Sequence, residues 1–481
     1  MADQPFEMVA GLEVHAELAT RSKVFCGCST RVGAPPNTQT CPICLGMPGV
    51  LPVLNKGALE HCLKVALALN CKVVNPILFE RKNYYYPDLP KNYQISQKRA
   101  PLGRNGSLDI LVNGRTRPVR IDDVHLEEDT GKLLHLAGSD ESLVDYNRCG
   151  VPLLELVSAP DLFSLDDVEA YMNAVRSVLL YLGVSECRME HGQLRFEANI
   201  SLRPAGSSEL GPRVEIKNLN SFRSVLRALE YEFERQTALL RRGQRAARET
   251  LLWDEARGVT EAMRSKEEAQ DYRYFSEPDL VPVIIDQPWL DQVRAGLPEL
   301  PNARRLRFVS QYGLPDYDAA ILTADKAVGD MFEEAVSLGA PGKEASNWLM
   351  GEGLRLVKAS GRALHESALT AQGLVELIAL VEQGTLSRPL AKQVFEEMFN
   401  TGSLPGQIVE QRGLAQVSDG QALLPVVERV LAENPDAVAN LRAGRRQSFS
   451  FLVGQVMRAT KGKANPHEVN RLLKKLLRLN G

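Results

Sequence analysis

Four cysteines, Cys26, Cys28, Cys41 and Cys44, fall in the run CGCSTRVGAPPNTQTCPIC with the spacing C-x-C-x12-C-x2-C. Two close thiolate pairs joined by a loop suit tetrahedral Zn²⁺, which takes four soft ligands at about 2.3 Å. With four thiolates no coordination position stays open, so the predicted role is structural. Four free thiols or a redox C-x-x-C are the alternatives, and no thioredoxin-like context surrounds the pairs. The other four of the eight cysteines are scattered and read as small core residues.

A second set of candidates is acidic and basic. In AGLEVHAEL, strand alternation puts Glu13 and His15 on one face and Leu12 and Val14 on the other. A carboxylate and an imidazole projecting together suit a hard metal or acid–base chemistry. VHLEEDTGK crowds His125, Glu127, Glu128 and Asp129 together, and that much negative charge calls for a neutralising partner. Glu155 interrupts the apolar run GVPLLELVSAPD, where an ionised carboxylate is costly unless paired or metal-bound. LRFEANISLR places Arg195, Glu197, Asn199, Ser201 and Arg203 on one strand face, and VEIKN adds Glu215 and Lys217. Paired antiparallel, these two strands present a wet, charged surface suited to a nucleotide and its metal. Lys82, in FERKNYYYPDLPKNYQ, can act as a point charge on phosphate.

The elements that must position these residues divide the chain. At 481 residues, two to four domains are expected. Residues 1–294 read as a mixed α/β catalytic region in which turn-forming NG pairs at 105–106 and 113–114 break short alternating strands. Beyond the Pro-rich stretch DLVPVIIDQPWLDQVRAGLPELP the periodicity becomes helical, giving a helical domain over 295–405 and a tail over 406–481. The fold class is therefore α+β. Net charge is -3 with pI near 6.3, but from Arg442 onward ten Lys and Arg face one acid, Glu468, a local balance of +9. Such a basic helical end suits a phosphate backbone; a merely solvated helix face is the plainer alternative. No signal-peptide pattern opens the sequence, no apolar run approaches the roughly 20 residues that span a bilayer, and the cysteines do not form a secreted disulfide scaffold, so a cytoplasmic protein is expected.

No P-loop, G-x-G-x-x-G, H-E-x-x-H or G-x-S-x-G occurs. A nucleotide must then be held by strands, carboxylates and metal, as glutamine synthetase-like folds do. The segments GLEVHAEL, SKVFC, RKNYYYPDLPKNYQISQ, HLEEDTGK, DYNRCGVPLLELVSAPD, EIKNLNSFRSV, RSKEEAQDYRYFSEPDL and VGQVMRATKGKANPHEVNRLL resemble the family of aspartyl/glutamyl-tRNA amidotransferase B subunits. The likeness runs from residue 11 to 473. It implies a glutamine synthetase-like cradle with a zinc site, a helical domain, and a tRNA-contacting tail. It also implies ATP- and Mg²⁺-dependent phosphorylation of the amino-acid carboxylate on mischarged Glu-tRNA(Gln) or Asp-tRNA(Asn), followed by displacement of phosphate by ammonia. The implied partners are an amidase subunit that supplies ammonia, a small third subunit, and the non-discriminating aminoacyl-tRNA synthetase that makes the mischarged tRNA.

The resemblance assigns Glu13, His15, Glu128 and Glu155 to magnesium, Lys82 to the reacting phosphate or carboxylate, and the four cysteines to zinc. It conflicts with alternation, which groups His125, Glu127 and Asp129 on one face and turns Glu128 toward Val124 and Leu126; a bulge would reconcile the two. Glu128 is the first choice for the magnesium ligand and Glu127 the second. Where the family often has Arg-Cys-Asp, this chain has Arg195-Phe196-Glu197, one methylene longer at the carboxylate, and Ser276 replaces the usual proline. The alternative function is a non-catalytic, zinc-containing tRNA-binding scaffold. A metal-dependent phosphoesterase is the third class, since it also uses His, Asp and Glu clusters.

Overall fold

The computed structural model describes residues 5–136, 138–263, 272–414, 420–442, 445, 447–460 and 464–477. RSKEEAQD at 264–271, KGK at 461–463 and parts of the basic run, including 478–481, lie outside them.

The chain forms two compact units, Met1–Arg304 and Arg305–Gly481. In the first, fourteen strands are described: β1 (Phe6–Glu17), β2 (Lys72–Val73), β3 (Glu80–Asn83), β4 (Tyr93–Ser96), β5 (Gly103–Val112), β6 (Arg115–Glu128), β7 (Lys132–His135), β8 (Ser142–Asp145), β9 (Pro152–Ser158), β10 (Leu194–Pro204), β11 (Val214–Leu219), β12 (Glu249–Asp254), β13 (Val259–Ala262) and β14 (Phe275–Ser276). Nine make one sheet in the order β13-β12-β11-β10-β1-β9-β6-β5-β2, antiparallel apart from the β11–β12 pair. A three-stranded sheet, β14-β3-β4, carries Lys82, and β7 pairs with β8.

One face of the large sheet is covered by α1 (Lys56–Ala68), α2 (Leu165–Tyr181) and α3 (Phe222–Arg241). Each begins where a polar side chain satisfies otherwise unpaired N–H groups: Asn55 accepts from Gly57 and Ala58, Ser164 from Asp167, Ser221 from Ser224. Leu59 and Leu63 of α1, Tyr171 and Met172 of α2, and Val225 and Leu229 of α3 share a core with Leu12, Val14, Val124, Leu156, Phe196 and Ile200 of the strands. Burying an aliphatic side chain of this kind contributes about 1.5–3 kcal/mol, so the apolar half of each strand fixes which way its polar half points.

Of the two NG pairs, only Asn113–Gly114 turns the chain, joining β5 to β6 with φ of 50° and 73°. Asn105–Gly106 lies inside β5 instead. A Cβ on Gly106 would sit 2.5 Å from the Leu69 carbonyl oxygen and against Cys71, so glycine there permits close approach rather than a turn. The Pro-rich stretch also differs from a bare boundary. It contains α4 (Gln287–Ala295), capped by Asp286, whose Val293 and Trp289 pack into the first core.

The second unit is helical, from Pro301–Tyr312 to Pro466–Leu477. It holds two apolar clusters. One gathers Phe308, Phe332, Trp348, Phe395, Ile408 and Val409; the other gathers Leu423, Val427, Leu452, Val456 and Leu473. Ile408 and Val409 belong to the earlier cluster, and Leu414 packs against it. A mixed α/β region with one large sheet followed by helices is an α+β architecture.

Candidate active site and thiolate centre

The uncovered face of the sheet carries most of the polar candidates, and strand register brings them together. His15 on β1 stands opposite Arg195 on β10 and Glu155 on β9, and Glu155 stands opposite His125 on β6. One row across four strands thus reads Arg195, His15, Glu155, His125. Beside it Glu13 faces Glu197, and Asn199 faces Glu215 on β11. The period of two in β1 and β10 puts all these side chains on the face opposite the core.

Within the row, Glu155 Oε2 lies 3.2 Å from His15 Nε2 and 3.1 Å from His125 Nε2, while His125 Nδ1 lies 2.9 Å from Asp123 Oδ1. Glu127 Oε1 is 3.6 Å from His15 Nε2; Glu127 Oε2 is buried with no hydrogen-bond partner. Burial would raise the Glu155 carboxyl, but the two imidazoles hold it well below the usual carboxylate range. The reverse holds for His15 and His125: burial lowers them, and the carboxylates around them, Glu155 foremost, win and raise both. Glu127 is raised by burial and by Glu155. Glu13 is raised by burial and by its carboxylate neighbours Glu155 and Glu197, although Asn199 Nδ2 donates to it at 2.9 Å.

Lys217 Nζ bridges Glu197 Oε2 at 2.6 Å and Glu215 Oε1 at 3.2 Å. Arg195 donates to Asp129 Oδ2 at 2.8 Å, with Arg148 behind it at 3.6 Å. Lys82 reaches the site from β3, its ammonium 5.0 Å from the Tyr272 ring centroid and 5.9 Å from that of Tyr84. Burial opposes its charge, yet Glu127 and Glu155 keep its pKa raised. Ser201 and Arg203 sit away from this cluster, the first donating to the Gly211 carbonyl and the second paired with Glu7.

Two donor sets have the composition a hard divalent cation takes. The ligand atoms of His15, Glu127 and Glu155 all lie within 4.8 Å of one another, as do those of Glu13, Glu197 and Glu215. The unpartnered Glu127 Oε2 and the raised carboxyls of Glu13 and Glu127 mark a surplus of negative charge that Mg²⁺ fits. In the second set the Lys217 ammonium already offsets part of that charge.

Glu128 is not brought to this cluster. β6 pairs with β9 without a break from Asp123 to the Glu128–Pro152 pair, so no bulge resets the alternation. Glu128 therefore turns to the other face, where its carboxylate is ion-paired with Lys91 and accepts the Ile95 N–H at 2.9 Å. Glu127 takes the position expected of Glu128. Glu215 also joins the second donor set, and His125 adjoins the first through Glu155. Their alternation with Glu127 and Lys217 was visible in the sequence; their partners across the sheet were not.

The four cysteines converge. A bridge between Ser22 and Ser29, with Lys23 N–H donating to the Cys28 carbonyl, folds Cys26 and Cys28 back, and a turn at Cys41–Leu45 presents the second pair. All four Sγ atoms lie within 4.8 Å of one another. The Cys44 thiol is lowered to about 4, first by its hydrogen bond with Cys26 and also by the Cys41 N–H and Lys23, whereas burial pushes Cys28 up to about 11. Four convergent thiolates with soft donors fit Zn²⁺. Cys62, Cys71 and Cys187 are buried elsewhere, and Cys149, also buried, donates its S–H to the Cys44 carbonyl at 3.3 Å.

The region that carries this sheet face and the four-thiolate loop matches the family model of the GatB/GatE catalytic domain over residues 8–291; a second model, the GatB domain, matches 330–477. The chain is 52% identical over 473 residues to the aspartyl/glutamyl-tRNA(Asn/Gln) amidotransferase B subunit of Thermodesulfovibrio yellowstonii, covering 98% of this chain and 99% of that one. It is 54% identical over 474 residues to the corresponding B subunit of Moorella thermoacetica, covering 98% and 100%. The chain belongs to the family of aspartyl/glutamyl-tRNA(Asn/Gln) amidotransferase B subunits. No helix among the described residues is long and apolar enough to cross a membrane.

Proposed function

We propose that this chain is the ATP-dependent component of a glutamine-hydrolysing ligase that amidates the side-chain carboxylate of Glu-tRNA(Gln), Asp-tRNA(Asn) or both. The observation that carries this is the sheet face itself, where two carboxylate-rich donor sets share one surface with Lys82. A carboxylate is a poor acyl electrophile until one oxygen becomes a good leaving group. In the first step a carboxylate oxygen attacks the γ-phosphorus of ATP and ADP leaves. In the second, ammonia attacks the acyl carbon of the acyl phosphate, inorganic phosphate leaves, and one proton is lost from nitrogen.

Phosphoryl transfer asks a protein mainly for positioning and charge neutralisation. Glu127, Glu155 and His15 form one ligand set and Glu13, Glu197 and Glu215 the other, on a glutamine synthetase-like cradle. Mg²⁺ bound there supplies Lewis acidity to the phosphoryl oxygens. Lys82 holds the reacting phosphate or carboxylate, its charge kept by Glu127 and Glu155 and its ammonium set beside the Tyr272 and Tyr84 rings. His125 and Asp123 hold Glu155 in place, and Arg195 is fixed by Asp129. Zinc on the four cysteines is structural. A separate amidase partner is the ammonia donor, with a small third subunit completing a cytoplasmic complex.

The test supplies ammonium chloride, ATP, Mg²⁺ and each mischarged tRNA to the complex assembled with a glutaminase-inactive partner. ATP-dependent amide formation on at least one tRNA is expected. Tight tRNA binding without ATP cleavage would instead make the chain a scaffold.

The domains follow the same reading: cradle, helical domain, and a basic tail that contacts tRNA. Helix Gln447–Ala459 carries Arg458, and helix Pro466–Leu477 carries Arg471, Lys474 and Lys475. Removing 415–481, which spares the cluster that reaches Leu414, should weaken tRNA binding and lower its salt slope by about one unit per lost phosphate contact. An unchanged affinity and slope in filter-binding titrations returns the tail to a solvated helix pair.

A further inference from the structure

Lys23 is 0% exposed, yet no carboxylate oxygen lies within 4.0 Å of its ammonium among the described residues. Its polar neighbours are Cys44 Sγ at 3.6 Å and the Tyr146 carbonyl oxygen at 3.4 Å. The acidic residue that lines its cavity, Glu128, is ion-paired with Lys91. A buried ammonium is costly without a counter-charge, and one neutral carbonyl does not supply it. Among the described residues the other polar group in contact is Cys44, one of the four convergent cysteines. Four thiolates around a dication carry a net charge of about −2 by formal count, and Cys44, the one Lys23 touches, is the buried member of the four. Each group lacks what the other offers.

Backbone geometry holds Lys23 in this position independently of any ion. Its N–H donates to the Cys28 carbonyl at 2.9 Å, and the next residue, Val24, donates to the Gly150 carbonyl at 2.9 Å. Asn55 Nδ2 donates to the Lys23 carbonyl at 3.3 Å. The side chain is thereby directed under the loop that carries Cys41 and Cys44.

We propose that Lys23 is the counter-cation of the thiolate centre, donating an N–H···S hydrogen bond to Cys44 and setting how tightly zinc is held. This rests on the zinc reading above. Lys23 makes no contact with the carboxylate and imidazole cluster, so it is a positioning residue for the metal and not a catalytic one.

The full-length chain and its K23M and K23Q variants test this by elemental analysis, by competition against a chromogenic chelator, and by absorption of the Co²⁺-substituted proteins. The wild type should hold one zinc per chain. Both variants, folded by circular dichroism in excess zinc, should bind it at least about tenfold more weakly, the loss usual when a group behind a metal ligand is removed. The thiolate-to-cobalt charge-transfer band should move to lower energy, because the sulfur lone pairs lose a stabilising cation. Absence of metal binding in the wild type would overturn the zinc reading and this proposal with it. Wild-type zinc with unchanged release and an unshifted cobalt band in the variants would overturn the Lys23 proposal alone. Collapse of both variants in excess zinc would assign Lys23 to packing and also overturn it.

Discussion

Glu127 and Glu128 are neighbours in the chain and occupy opposite faces of one strand. Glu127 faces His15 and Glu155 on the uncovered side, with one oxygen unpartnered and its carboxyl pushed up by burial and by Glu155. Glu128 faces the interior beside the thiolate loop, ion-paired with Lys91 and bonded to the Ile95 N–H. The same side chain is left in deficit on one face and satisfied on the other. A satisfied buried carboxylate stabilises a fold; an unsatisfied one among other carboxylates and imidazoles awaits a cation or a substrate. What separates them is one step of strand alternation.

The largest effect expected from this contrast is on stability. Glu128→Gln leaves the Lys91 ammonium buried without its carboxylate and should lower the unfolding free energy by about 3–5 kcal/mol. Glu127→Gln removes a charge that its surroundings disfavour, so the metal-free chain should be unchanged or slightly more stable. Urea titrations of both variants measure the difference; equal losses would erase the contrast.

A smaller effect separates the two faces by protons. In the metal-free chain Glu13, Glu127 and His15 all have raised pKa values, so protonated forms compete with a metal. Mg²⁺ binding should release protons, and its affinity should rise with pH, by up to about tenfold per unit for each proton released. Calorimetric titrations in buffers of different ionisation heat should show that release in the wild type and less of it in Glu127→Gln. Affinity that falls with pH would contradict the assignment.

The residues legible in the sequence are those whose signal is local. The thiolate spacing named all four cysteines, and the period of two in LRFEANISLR sorted Arg195, Glu197 and Asn199 from Phe196, Ala198 and Ile200, because a sheet covered on one side enforces that sorting. The mixed α/β region followed by helices was legible from the change of apolar period along the chain. Non-local facts were not. That His125 meets Glu155, or Glu13 meets Glu197, depends on register between strands far apart in the chain. Alternation alone grouped Glu127 with His125 and turned Glu128 inward, but nothing in the sequence shows that β6 runs to Glu128 without a bulge. Gly106 looked like a turn because its contact with Leu69 and Cys71 is tertiary. α4 was hidden because the prolines around it resemble a linker while Val293 packs into the first core.

Phosphorylation dependent on mischarged tRNA, with ammonium supplied directly so that no glutaminase is needed, decides whether the uncovered face is the kinase site. Glu127→Gln keeps size and shape while removing one charge. It should lower the rate about 10²–10³-fold, the usual loss when one electrostatic stabiliser is removed, with circular dichroism unchanged. Glu128→Gln, assayed where it remains folded, should retain most of the wild-type rate. Full activity in Glu127→Gln together with its loss in folded Glu128→Gln would place the chemistry on the opposite face and contradict the account.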